Sequence, residues 1–121
     1  MPSVTREDAL RLAEAWVGAC NAHDLDAILR HYADDVEFVS PSVERLLGDV
    51  SGAVRGKAQL RAYFVKGLAA FPDLRFELLE ILVGVGSVTV YYRGVRGLLA
   101  AELMCLADDG RIVRVLAHYS G

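Results

Sequence analysis

Glu102 is the single charged residue in the ten-residue stretch LLAAELMCLA, residues 98–107. Side chains alternate across a strand, so Glu102 would share a face with Leu98, Ala100, Met104 and Leu106. A carboxylate on an apolar face loses hydration, at several kcal/mol if it stays ionised and unpaired, and must gain donors or take a proton. Its pKa is expected to rise. A carboxylic acid kept neutral near neutral pH can serve as a general acid or a hydrogen-bond donor. The bland alternative turns Glu102 to the outer face of the sheet, paired with an arginine across a dimer.

Trp16, Tyr32 and Tyr63 stand on the apolar faces of expected helices, and each carries one polar atom that needs a partner when buried. Core packing would explain any one of them. Several such aromatics together with one apolar-face acid suit a cavity better than a plain core. Phe38 and Ser40 share a side of the strand VEFVS, Phe64 follows Tyr63 on the third helix, and Met104 shares the face of Glu102. These residues, with Tyr119 discussed below, are the candidate ligand-binding set.

Other groups have simpler readings. Asp34 and Asp35 fall at an expected helix-to-strand corner, where short polar side chains satisfy free backbone groups. His23, Asp24 and Asp26 resemble a ligand cluster, but Asp24 is explained as a helix cap and Asp26 lies on a polar helix side, so no metal site is expected. GAVRGKA has one residue too few between its glycines for a phosphate loop, and Ala58 where Ser or Thr should hold magnesium. GVGSVTV joins strand to strand, whereas a dinucleotide fingerprint must open a helix. No cofactor is expected. Cys20 and Cys105 lie in apolar patterns without short metal or redox spacing and read as two buried free thiols.

The elements that must position these groups follow from periodicity. Thr5 and Asp8 form a variant capping box, and Ala9, Leu12, Ala13, Trp16, Val17 and Cys20 recur at helical spacing over residues 5–21. After NAHD, Leu25, Ile28, Leu29 and Tyr32 mark a second, brief helix. VEFVS is a strand that Pro41 stops, and residues 41–56, with three glycines and a proline, read as a long loop. A third helix runs from Lys57 until Pro72 ends it. LRFELLEILV, SVTVYYR, LLAAELMCLA and RIVRVLAHYS are then separated by GVG, GVRG and DDG, the spacing of antiparallel hairpins. Helices first and strands after indicate an α+β layer, one domain over residues 1–121.

The totals narrow the partners. At 54% apolar, with a mean hydropathy of +0.31, the chain carries more apolar surface than a small monomer readily hides. LLAAELMCLA does not alternate, so both its faces should be dry, one under the helices and one against a second subunit. A homodimer through the sheet face is expected. A net charge of −3 with scattered basic residues excludes a nucleic-acid surface. No uncharged run approaches the roughly 20 residues of a membrane span, and MPSVTREDAL carries charges where a secretory signal needs an apolar stretch. A cytoplasmic protein without membrane contact is expected.

AWVGACNAHDLDAILRHYADDVEF, GKAQLRAYFVKGL, PDLRFEL and DDGRIVRVLAHY together resemble the nuclear transport factor 2-like superfamily, in particular its SnoaL-like branch, over nearly the whole chain. The resemblance implies a cone of three N-terminal helices packed on a strongly curved, mostly antiparallel sheet that encloses a pocket, with dimers common. The superfamily includes ketosteroid isomerase, polyketide cyclases, epoxide hydrolases, dehydratases and members without catalysis, so fold alone assigns no reaction. Against ketosteroid isomerase, whose pocket pairs an Asp base with an oxyanion hole of a Tyr and a protonated Asp, Trp16 falls at the Tyr position, Ser40 at the base and Glu102 at the protonated Asp. A serine at neutral pH cannot abstract a carbon-bound proton unaided. The last hairpin is open by one residue: a three-residue DDG loop would put Arg114 and His118 beside Glu102, whereas the resemblance puts Val115, Ala117 and Tyr119 there. The resemblance is followed here.

Two functions are compatible with these residues. One is a dimeric protein binding a small apolar or aromatic ligand, with Trp16, Tyr32, Phe38, Ser40, Tyr63, Phe64, Met104 and Tyr119 around it. The alternative is an isomerase-, cyclase- or hydrolase-like enzyme using Glu102 as acid or hydrogen-bond donor on a carbonyl-type substrate. The missing base at Ser40 favours the first.

Overall fold

A computed structural model describes residues 4–121. Thr5 caps α1 (Arg6–Asn21) by accepting the Asp8 N–H at 3.0 Å, and Ala9, Ala13, Trp16, Val17 and Cys20 bury one face of the helix. Asp24 caps α2 (Leu25–Leu29) in the same way through the Ala27 N–H. Tyr32 does not close this helix as its spacing suggests; it opens β1 (Tyr32–Val39). Asp34 and Asp35 therefore lie inside a strand, exposed, where the pairing with the last strand slips between Tyr32 and Glu37. A bulge needs unpaired residues at its outer side, and short acids suit that place.

The segment 41–56 is not the uniform loop its glycines suggest. Its first half is α3 (Pro41–Leu47), with Ser40 as cap, Pro41 in the first turn where its missing N–H costs nothing, and Gly48 ending the helix at φ 72°. A short β2 (Ala53–Arg55) then pairs antiparallel with β1. The expected third helix follows as α4 (Gly56–Ala70), so the described residues hold four α-helices where three were expected.

The four expected hairpin strands are β3 (Glu77–Val83), β4 (Ser87–Arg93), β5 (Leu99–Leu106) and β6 (Ile112–Tyr119). The sheet order is β2-β1-β6-β5-β4-β3, antiparallel throughout except for the parallel β1–β6 pair. The sheet is mixed and does not close. Slips of register in β1–β6, β3–β4 and β5–β6 bend it, and α1 and α4 pack into its concave side against β3 and β1.

Burial on β5 alternates without exception: Ala100, Glu102, Met104 and Leu106 are buried, and Leu99, Ala101, Leu103 and Cys105 are half-buried. Within one chain, then, only one face of this strand is dry. The last hairpin takes the register that the resemblance implies, Glu102 opposite Ala117 and Met104 opposite Val115, with Arg114 and His118 exposed. A slip between Cys105 and Leu106 accounts for the ambiguity, since one extra residue beside the turn exchanges the two faces of β6.

Candidate functional site

Between the helices and the concave sheet lies a cavity of about 120 Å³. For scale, an apolar cavity of roughly 150 Å³ holds a benzene molecule. Glu102 reaches its wall from the centre of β5, held there by strand pairing on both sides. The residue is 3% exposed. One oxygen, Oε2, accepts a hydrogen bond from the Tyr92 hydroxyl at 2.5 Å. The other, Oε1, is buried without any partner.

This environment decides the protonation of Glu102. Burial pushes its pKa up to about 7, and the Tyr92 hydroxyl only partly opposes the rise by stabilising the carboxylate. The side chain thus keeps its proton to much higher pH than an ordinary carboxyl. Burial and the nearby Glu102 charge hold the Tyr92 hydroxyl well above its ordinary value, and they raise Tyr119 in the same order. Tyr63 is raised by burial first, then by Tyr119 and Glu102. Burial, with Glu102 adding to it, also pushes the Cys20 thiol up, so Cys20 is no thiolate nucleophile. The wall offers one exchangeable proton and several hydroxyls that keep theirs.

The aromatic side chains form two groups around the acid. Trp16 stacks on Phe76 at 5.6 Å and meets Tyr92 edge-on at 5.4 Å, while Phe38, Tyr63 and Phe64 pack with centroids 5.2–5.8 Å apart. Of the sequence-derived candidates, Trp16, Phe38, Tyr63, Phe64, Glu102 and Tyr119 line the cavity. Tyr32, Ser40 and Met104 are buried but do not reach it. Tyr32 accepts the Trp16 Nε1–H at 2.9 Å from behind, which orients the indole. Ser40 uses its Oγ to accept the Ser42 N–H at 3.1 Å as the cap of α3. Met104 is sealed between layers of the core.

Tyr92 is the functional candidate that the reading above lacks. Its signal is present in SVTVYYR: Val88, Val90 and Tyr92 alternate on the buried face, so of the two adjacent tyrosines the second points inward. Arg45 and Arg96, at the exposed part of the cavity wall, carry no comparable pattern.

His23 and Asp26 have structural partners. Asp26 pairs with Arg61 at 2.7 Å, and His23 Nε2 lies 2.9 Å from the Leu74 carbonyl. Among the described residues no group of three or more His, Cys, Asp and Glu stands close enough to hold a metal ion, and no helix is long and apolar enough to cross a membrane.

Residues 13–115 match the family of SnoaL-like domains. A SnoaL-like protein of unknown function from Burkholderia thailandensis is 46% identical, with a TM-score of 0.94 over 99% of this chain and 100% of the other. A protein of unknown function with a cystatin-like fold from Methylobium petroleophilum superposes with a TM-score of 0.78 at 16% identity, over 99% of this chain and 80% of that one. A candidate ketosteroid isomerase from Kribbella flavida gives 0.73 at 18% identity, over 95% and 79%. The last two likenesses speak to fold alone. Among functionally curated proteins nothing matches.

Proposed function

The chain belongs to the SnoaL-like family, and from that premise we propose that it binds a small, largely apolar ligand of single-ring size through a neutral oxygen acceptor that meets Glu102. One observation carries this reading: Glu102 lines the cavity, and its Oε1 is buried with no partner. A buried polar atom left unpaired costs about 1–3 kcal/mol, and a ligand carbonyl or hydroxyl placed against a protonated Oε1 removes that cost. The apolar and aromatic lining supplies most of the remaining affinity.

A pKa of about 7 favours a second reading, in which Glu102 gives its proton to a developing oxyanion or takes one during turnover. Against proton shuttling stands the chemistry of the other wall residues: the tyrosines and Cys20 keep their protons. Polarising a ligand carbonyl is the step that this wall supports.

The proposed assembly is a homodimer through the outer face of the sheet. Leu99, Ala101 and Leu103 on β5 and Leu116 on β6 are only half-covered in the single chain, and Leu82 on β3 is 61% exposed. An apolar face of this kind is suited to a second copy. The proposed compartment is the cytoplasm, where the free thiols of Cys20 and Cys105 would persist.

Calorimetric titration with acetophenone, a single ring bearing one carbonyl, tests the ligand reading. Wild type should bind, and Glu102→Leu should bind about tenfold more weakly, the worth of one buried hydrogen bond. Equal affinity in the two proteins, or no binding to either, would refute it.

A further inference from the structure

We infer that the ligand is an anion: a small aromatic or short aliphatic carboxylate whose apolar body enters the hollow and whose charge rests at the mouth beside Arg45 and Arg96. The inference rests on the pocket reading above and adds the ligand's charge and orientation.

Arg45 sits in the last turn of α3, and Arg96 lies in the single 3-10 turn Val95–Gly97 between β4 and β5. Both belong to the cavity wall, and both are exposed. Most arginines of the chain are engaged with acids: Arg6 with Glu80, Arg11 with Glu7, Arg61 with Asp26, and both Arg55 and Arg114 with Glu37. Arg45 and Arg96 pair with no Asp or Glu side chain among the described residues. Arg45 meets only the Gly121 main-chain oxygen, at 3.4 Å, and the Arg96 guanidinium lies 6.0 Å from the centroid of the Phe71 ring, another residue of the wall. Two exposed guanidiniums on one cavity wall, with no Asp or Glu side chain paired to either, raise the local concentration of anions.

Arg96 stands at φ 57°, in the left-handed region, as does Gly97 beside it at φ 70° and, elsewhere, His23 at φ 54°.

The inner end fixes the orientation. A ligand carboxylate pushed inward would sit without water beside Glu102, itself an acid in an apolar hollow, and neither charge would find a donor cation there. A neutral carbonyl or hydroxyl meets Oε1 without that penalty. The ligand class is therefore an apolar body of single-ring size with a neutral acceptor at one end and a carboxylate at the other.

Calorimetry on the full chain at low ionic strength, with acetophenone, 4-acetylbenzoate and 4-acetylbenzamide, separates the two readings. The benzoate should bind about tenfold more tightly than the isosteric benzamide, a preference that salt reduces. The double variant Arg45→Gln, Arg96→Asn should lose this preference, read as the ratio of the two affinities; Asn is chosen because it tolerates the left-handed backbone. Equal affinity of wild type for benzoate and benzamide, or a preference that survives the double substitution, would overturn the anion while acetophenone binding upholds the pocket. Failure of all three probes to bind would overturn both.

Discussion

Tyr92 and Glu102 stand diagonally across two antiparallel strands, Tyr92 paired with Ala100 and Glu102 with Val90, and their side chains meet at 2.5 Å. Diagonal neighbours on one sheet face are within reach of an aromatic side chain, so backbone pairing sets this contact without help from a loop. It satisfies one carboxyl oxygen and leaves the other buried without a partner, on a residue of the cavity wall. A rigid, half-satisfied acid is the feature from which the following expectations derive.

Stability should fall with pH across a defined window. The folded-state pKa of Glu102 is raised from 4.5 to about 7, so the native state holds this proton more tightly than the unfolded chain does. Its contribution is complete below about pH 4.5 and is lost as pH rises through about 7, with an amplitude on the order of 3 kcal/mol. Urea unfolding at pH 5 and pH 8 should show wild type losing stability, and Glu102→Gln losing much less. His31, whose pKa burial lowers, gives the opposite slope below about pH 6.5 in both proteins, so the difference between them isolates Glu102. Parallel pH profiles would contradict the assignment.

Tyr32→Phe should separate support from contact. The buried Trp16 Nε1–H loses its acceptor, at about 1–3 kcal/mol of stability. Because Tyr32 does not line the cavity, acetophenone affinity should change less than twofold by calorimetry. A large loss of affinity at unchanged stability would place Tyr32 in the site.

Ser40→Ala should act on α3. Loss of the cap on the Ser42 N–H should lower unfolding stability by about 1 kcal/mol, leaving the pH dependence of binding as in wild type. A Ser40→Ala protein of normal stability that has lost ligand affinity would restore Ser40 to the site.

Leu103→Arg tests the proposed dimer. Leu103 lies half-covered at the middle of the outer face, where a guanidinium would be trapped in an apolar interface. Light scattering after size exclusion should give twice the chain mass for wild type and the single mass for the variant. Monomeric wild type at micromolar concentration would remove the dimer.

How much of this was legible in the sequence depended on the range of the interactions involved. The strands were readable because apolar runs and the turn-forming glycines between them are local, and Glu102 stood out as the single charge in one such run. The faces of β6 were not readable from counting, since the extra residue near Leu106 is fixed by pairing with β5. For α3, Ser40, Pro41 and Gly48 provide ordinary start and stop signals, but glycines crowd the second half of the same segment. Ser40 appeared as a site residue because its strand phase points inward; the N–H that its hydroxyl caps appears only once α3 exists. Tyr92 carried its own signal in the alternation of Val88 and Val90, whereas nothing local distinguishes Arg45 and Arg96 from other surface arginines.

The most direct measurement is an NMR titration of the Glu102 side-chain carboxyl carbon, in the free protein and with acetophenone bound. The account predicts a midpoint near 7 that moves higher when the ligand accepts the Oε1 proton. An ordinary carboxyl midpoint near 4.5, indifferent to the ligand, would contradict it.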